Sequence, residues 1–160
     1  MKNHKILISA CLLGEKVRYD GNSQLIENNI IRQWSKNAIL ISICPEVSGG
    51  LSIPRLPAEI QADAQQKLKI INNKDIDVTK EFIKGAQNTL EQCLQHKIQI
   101  AILTEGSPSC GSQLINDGNF QSKKIQGQGI TTRLLEKNSI TVFNQYQIQQ
   151  AYEHYQKLIK

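Results

Sequence analysis

The stretch "IQIAILTEGSPSCGS", residues 98–112, is an apolar run that ends abruptly in a bend. Ile98–Leu103 has the length and the Ile and Leu content of a buried strand. Gly106 and Pro108 then turn the chain, and small residues present Cys110. The arrangement recurs in "ILISACLLG" (6–14) and "ILISICPEVSGG" (39–50). Three β-runs, at 5–10, 38–43 and 98–103, each finish by offering a cysteine, and a fourth run covers 140–143.

Helical patterns lie between these runs. Residues 24–36 carry Leu25, Ile26, Ile30, Ile31 and Trp34 on roughly one face. Residues 80–96 space Phe82, Ile83, Ala86, Leu90, Cys93 and Leu94 by threes and fours, with Thr79 at the expected cap and Glu81 in the first turn. Further helices are predicted over Thr131–Lys137 and Tyr146–Ile159. Strands that are apolar throughout and alternate with helices indicate α/β architecture with a parallel sheet. Two segments interrupt the alternation. Residues 44–63, with three of the four prolines and Gly49-Gly50, read as an irregular loop. Residues 112–129, with the turn signal Asn116-Asp117-Gly118-Asn119, read as a small hairpin excursion. The fold expected is a single-domain (1–160) Rossmann-like parallel sheet with helices on both faces, ending in a helix at about 146–159.

Composition narrows the function classes. The chain has 160 residues, 39% of them hydrophobic and 21% charged, the balance of a soluble globular domain. A net charge of +5 favours anionic partners, but the basic residues are scattered and no basic block exceeds Lys123-Lys124. The apolar run Ile6–Leu13 is too short for a membrane span and lacks a cleavage site, so the expectation is a cytoplasmic protein with no membrane partner. Cytoplasmic cysteines stay thiols, which points its four cysteines toward metal binding or catalysis rather than disulfides.

Parallel strands all end on one edge, and ligands bind in the crevice outside it. Cys11, Cys44 and Cys110, separated by 33 and 66 residues, are thereby gathered at one place. Cys93, in register with Phe82, Ala86 and Leu90, reads as a small buried hydrophobe. No CxxC or CxxH pair is present, which argues against a zinc knuckle. Three converging thiolates suit soft metals and iron–sulfur clusters. A four-iron cluster with three cysteine ligands leaves one iron open to act as a Lewis acid on a soft donor such as substrate sulfur. The competing reading is three unrelated thiols at strand ends.

The strings "SACLLG" with "RYDG", "CPEVSGG", "PRLPAEI", "EGSPSCGS" and "GQGITT" occur in order between residues 5 and 144. In these motifs the chain resembles the thiouracil desulfidase family. The resemblance implies a [4Fe–4S] cluster held by Cys11, Cys44 and Cys110. It also implies capture of a thiolated pyrimidine's sulfur by the fourth iron, with release of the oxo-pyrimidine and sulfide. By the same resemblance Glu46 and Ser107 are the catalytic residues. Glu46 suits the proton transfers of water attack, and Ser107 suits orientation of ring or water. Their alternative roles are partnership of Glu46 with Arg55, and a turn-stabilising hydroxyl for Ser107 before Pro108.

Other motif residues read as structural. Gly49-Gly50 and Gly111 are expected to supply unusual backbone conformations. Arg18, Tyr19 and Asp20 are expected to brace the first cysteine loop, and Arg55 to pair with Glu59. Amides near Gly14 and Gly111 are candidates to hydrogen-bond cluster sulfides. His4, His96 and His154 are expected to be solvent-exposed. The chain stops soon after the last motif, which favours a small thiolated base, nucleoside or nucleotide as substrate. Thiouridine in tRNA is the runner-up, and a cluster-bearing sulfur carrier or redox sensor without turnover is the reading from another class.

Overall fold

The computed structural model describes residues 4–62 and 65–160. Four parallel strands form the central sheet: β1 (Ile6–Ser9), β2 (Leu40–Ile43), β5 (Ile100–Leu103) and β8 (Thr141–Asn144), in the order β2-β1-β5-β8. Side-chain alternation sends the two faces of each strand into separate cores. Ile6 and Ile8 of β1 and Ile100 and Ile102 of β5 pack with Ile31 and Trp34 of α1 (Asn29–Lys36) and Ala151 and Tyr155 of α5 (Ile148–Leu158). On the other face Leu7, Ala101 and Leu103 meet Cys93 of α3 (Thr79–Gln95) and Leu135 of α4 (Ile130–Lys137). The expected parallel sheet with helices on both faces is the fold observed.

The differences have local causes. The first helix begins at Asn29, because the Asn28 side chain accepts the amides of Ile30 and Ile31. Residues 24–28 lie outside it; the amides of Gln24 and Ile26 donate to the carbonyls of Cys11 and Leu12. At α3 the N-cap is Val78, not Thr79. Asp77 accepts the Thr79 amide, and the Thr79 hydroxyl accepts the amide of Ile70 instead.

The segment expected to be an irregular loop is partly ordered. It opens with the short helix α2 (Pro45–Ser48) and ends in β3 (Ala58–Ala62), which pairs antiparallel with β4 (Leu68–Asn72); residue 63 lies outside the described residues. Ile60 and Ile70 face each other across this hairpin and pack on Phe82 and Ile115. The predicted excursion is the hairpin of β6 (Leu114–Asn116) and β7 (Lys124–Gln126). Gly49 has an ordinary helical φ of −76°. Its role is close approach: a Cβ there would fall 2.0 Å from the Glu81 carbonyl oxygen, and one on Gly85 would fall 1.9 Å from that of Pro45. These two glycines let α2 lie directly on α3. No helix among the described residues is long and apolar enough to cross a membrane.

Candidate active site

From β1 the chain moves outward to β2, then crosses back to β5 on the other side of β1. The strand order therefore reverses between β1 and β5, and at such a switch point the loops part and leave a crevice. Cys11 sits in a single 3-10 turn (Ala10–Leu13) directly after β1, Cys44 directly follows β2, and Cys110 lies in the loop after β5. All three are free thiols and all three line one cavity of about 550 Å³. Glu46, Ser107, Arg18 and Arg55 line it too.

The Cys110 loop is held from inside by Glu105. One carboxylate oxygen of Glu105 accepts the amides of Ser112, Gln113 and Leu114 at 2.8–3.1 Å. The other accepts the Ser112 hydroxyl and the Asn144 side-chain amide. Burial alone would raise this carboxyl, but the hydrogen bonds from Leu114, Ser112 and Gln113 outweigh it and hold the group below its usual range. From outside, α4 clamps the loop. The amides of Ile130 and Thr131 donate to the carbonyls of Pro108 and Ser109, and the Thr132 hydroxyl donates to that of Cys110. Gly129 makes this possible, since a Cβ there would fall 2.3 Å from the Ser109 oxygen. The "GQGITT" motif is thus the outer half of the cysteine loop.

Hydroxyls meet two of the thiols. Cys11 Sγ and Thr104 Oγ1 share a hydrogen bond at 2.9 Å. Ser9 Oγ accepts the Thr104 amide and points at Cys110 Sγ, 3.9 Å away. Burial pushes all three thiols up. The Thr104 hydrogen bond and Arg18 pull Cys11 back, and the Val47 amide and Arg55 do the same for Cys44. At Cys110, Glu46 and the other two thiols add to the rise, so these four groups lie within electrostatic reach of one another.

Glu46 stands in the first turn of α2, two residues past Cys44. Its Oε2 is paired with Arg55 at 2.7 Å, and the two side chains are 18% and 6% exposed. Arg55 also donates to the Ser52 carbonyl, while its Nε is buried without a partner.

A family model described as 2-thiouracil desulfurase matches residues 6–147. The chain belongs to the 2-thiouracil desulfurase family. The uncharacterized protein YbbK of Bacillus subtilis (strain 168) is 36% identical over 148 residues, covering 89% of this chain and 97% of that protein. Among solved structures, the [4Fe-4S]-dependent thiouracil desulfidase TudS is 41% identical, with a TM-score of 0.91 over 96% of this chain and 98% of TudS.

In this desulfurase-family chain Cys11, Cys44, Cys110, Glu46 and Ser107 all reach one cavity. Cys93 does not; it is fully buried on α3, and burial pushes its thiol up to about 12. Ser107 uses its oxygen to accept the amides of Ser109 and Cys110, at 3.1 and 2.7 Å, which is the turn-stabilising role and leaves its hydroxyl proton free to donate. Arg55 pairs with Glu46, not with Glu59. The Gly14 and Gly111 amides are taken by the carbonyls of Cys11 and Ser107, so both serve their own turns. Of Gly49, Gly50 and Gly111, Gly50 alone has positive φ, at +104°. Arg18 donates to Gln24, whose backbone amide holds the Cys11 carbonyl, so Arg18 braces the first loop, whereas Asp20 accepts the Asn22 amide in its own turn and the Tyr19 carbonyl accepts the Arg55 amide. Of the histidines His96 is exposed, whereas His4 and His154 are half-buried and His154 packs on Phe143. Sequence reasoning assigned no role to Thr104, Ser9, Glu105 or the two threonines of α4. Their signal was proximity in sequence to a strand end or a cysteine.

Proposed function

We propose that the protein is a [4Fe–4S]-dependent desulfidase of thiolated pyrimidines, with Cys11, Cys44 and Cys110 as the cluster ligands. The observation that carries this reading is the convergence of three free thiols from three neighbouring strands on one cavity that also holds Glu46. The donor set fits the group. Three soft thiolate donors on one cavity suit a four-iron cluster, which takes one thiolate per iron. The buried, unpartnered Nε–H of Arg55 and the nearby Arg18 supply positive charge beside thiols that must lose protons on binding.

When bound, such a cluster supplies an iron without a protein thiolate, which polarises the thiocarbonyl of the substrate. The protein's own residues handle water and protons. Arg55 fixes Oε2 of Glu46 and leaves Oε1 available at the cavity. Through Oε1 the carboxylate accepts a proton from water as its oxygen attacks the ring carbon, then returns it as the carbon–sulfur bond breaks. Water contributes the new carbonyl oxygen and the sulfur leaves as sulfide, with no net oxidation or reduction. Ser107, its oxygen committed to the turn, donates its hydroxyl proton to the ring or to the water.

The cavity lies in the size range of small-molecule sites, which favours a free thiopyrimidine base, nucleoside or nucleotide over tRNA. The test is anaerobic cluster reconstitution followed by incubation with 2-thiouracil and 4-thiouracil. Uracil and sulfide should appear in equal amounts, repeatedly per cluster. A protein that holds its cluster but releases no sulfide from either compound is not a desulfidase of these bases, and a sulfur carrier becomes the better reading.

A further inference from the structure

The thiols form one wall of the cavity; another wall comes from the β3–β4 hairpin and the loop after β6, and Glu59 stands in it. Along β3, Ile60 faces the hairpin's apolar core, so alternation turns the neighbouring Glu59 to the opposite face. Glu59 is only 4% exposed. Its Oε2 accepts the Phe120 amide at 2.7 Å, and Oε1 has no partner among the described residues. Among the described residues the ion pair found is Glu46–Arg55, and no cation reaches Glu59. A buried carboxylate with one backbone donor and no counter-charge is costly unless a further donor arrives. Phe120 lines the cavity as well.

We propose that Glu59 reads the substrate ring, accepting the N3–H of a thiopyrimidine through its free Oε1. The inference rests on the desulfidase reading of the same cavity. 2-Thiouracil and 4-thiouracil share the donors N1–H and N3–H, and of the two only N3–H remains when N1 carries a ribose. A carboxylate there favours rings with a proton on N3 and rejects 2-thiocytosine, whose bare N3 would set lone pair against lone pair. Phe120 gives the ring an aromatic neighbour. Glu59 is thereby a specificity-determining residue, separate from the proton transfers assigned to Glu46.

The test uses uracil and 3-methyluracil, which cannot lose sulfur, as binding probes of the anaerobic holoprotein by calorimetry. The wild type should bind uracil about 10–100-fold more tightly than 3-methyluracil, the range of a hydrogen bond to a charged group. Glu59→Ala should lose that preference while iron content stays unchanged. With 2-thiouracil, Glu59→Gln should raise KM and leave kcat per cluster near the wild-type value. A purely structural Glu59 would weaken both probes alike and preserve their ratio. Should Glu59→Ala fail to fold, the same ratio is read in Glu59→Gln, where it should shrink. Equal binding of the probes by the wild type, no binding of either, or a ratio that survives the substitutions overturns the assignment. A wild type that prefers uracil but turns over no thiopyrimidine refutes the desulfidase reading and leaves the Glu59 assignment standing.

Discussion

Cys93 and Cys110 belong to the same apolar cluster, and both are almost wholly buried. Cys93 sits on α3 among Leu7, Ala101 and Leu135, with nothing polar addressed to its sulfur. Cys110 sits in a loop whose backbone is held by Glu105, Ser107 and α4, and its sulfur meets a cavity shared with two more thiols and a carboxylate. Burial raises both thiols, so burial does not distinguish a ligand from a packing residue. The distinction lies in the backbone. A helix presents Cys93 to whatever packs against it, whereas the loop spends a carboxylate, a serine and two threonines on aiming Cys110.

That contrast sets the largest expected effect. Cys110→Ser should bring sulfide release to background, because a serine oxygen is a hard, poor replacement for thiolate at iron. Cys93→Ala should keep wild-type turnover per cluster and lose only about 1–2 kcal/mol of stability to the small cavity it leaves. Equal loss of turnover in the two variants would erase the distinction.

Glu46→Gln separates chemistry from assembly within the site. The substitution keeps shape and some hydrogen bonding, and removes the charge that accepts a proton. Cluster content should be normal and turnover per cluster lower by about 10²-fold or more. Full activity per cluster would remove Glu46 from the proton path.

Glu105 sharpens the loop side of the comparison. Glu105→Gln should lower stability by about 2–4 kcal/mol, or roughly 5–15 °C in Tm, since it replaces a charged acceptor of several hydrogen bonds. The Glu105 carboxyl is held below its usual range in the fold. Its contribution is therefore complete above the unfolded glutamate value of about 4.3 and fades as pH falls through the lower folded value. Tm measured against pH should decline less steeply in acid for Glu105→Gln than for the wild type. The smallest effect concerns salt. Turnover of free thiouracil should change less than about twofold between low and physiological ionic strength, because no phosphate contacts are broken. Activity confined to thiolated tRNA and falling steeply with salt would point to RNA as the substrate.

The sheet strands were legible in the sequence because they are buried on both faces: β1 and β5 are apolar at every position apart from Ser9. The hairpins were harder, for a physical reason. Strand β3 reads Ala-Glu-Ile-Gln-Ala, a short element that sends Ala58 and Ile60 to a small satellite core, and β7 reads Lys-Ile-Gln and is exposed at every position. The β3–β4 connection also lacks an Asn-Gly or Asp-Gly turn signal. Of the site, the cysteines could be placed because strand ends in a parallel sheet share an edge. The Glu46–Arg55 pair was one of two options, since separations of nine and four residues do not choose between Glu46 and Glu59 as the partner of Arg55. Glu105 was invisible because its partners are chiefly backbone amides, which carry no residue identity. The Gly49–Gly85 contact joins positions 36 residues apart that only packing brings together.

The most direct measurement is iron and acid-labile sulfide per chain in anaerobically prepared wild type and in four single variants, Cys11→Ser, Cys44→Ser, Cys110→Ser and Cys93→Ala. The expected result is close to four irons and four sulfides per wild-type chain, loss of most of both in each of the first three variants, and wild-type content in Cys93→Ala. A zinc-only wild type, or loss of iron from Cys93→Ala equal to that from Cys110→Ser, would contradict the assignment of the three strand-end cysteines to a cluster.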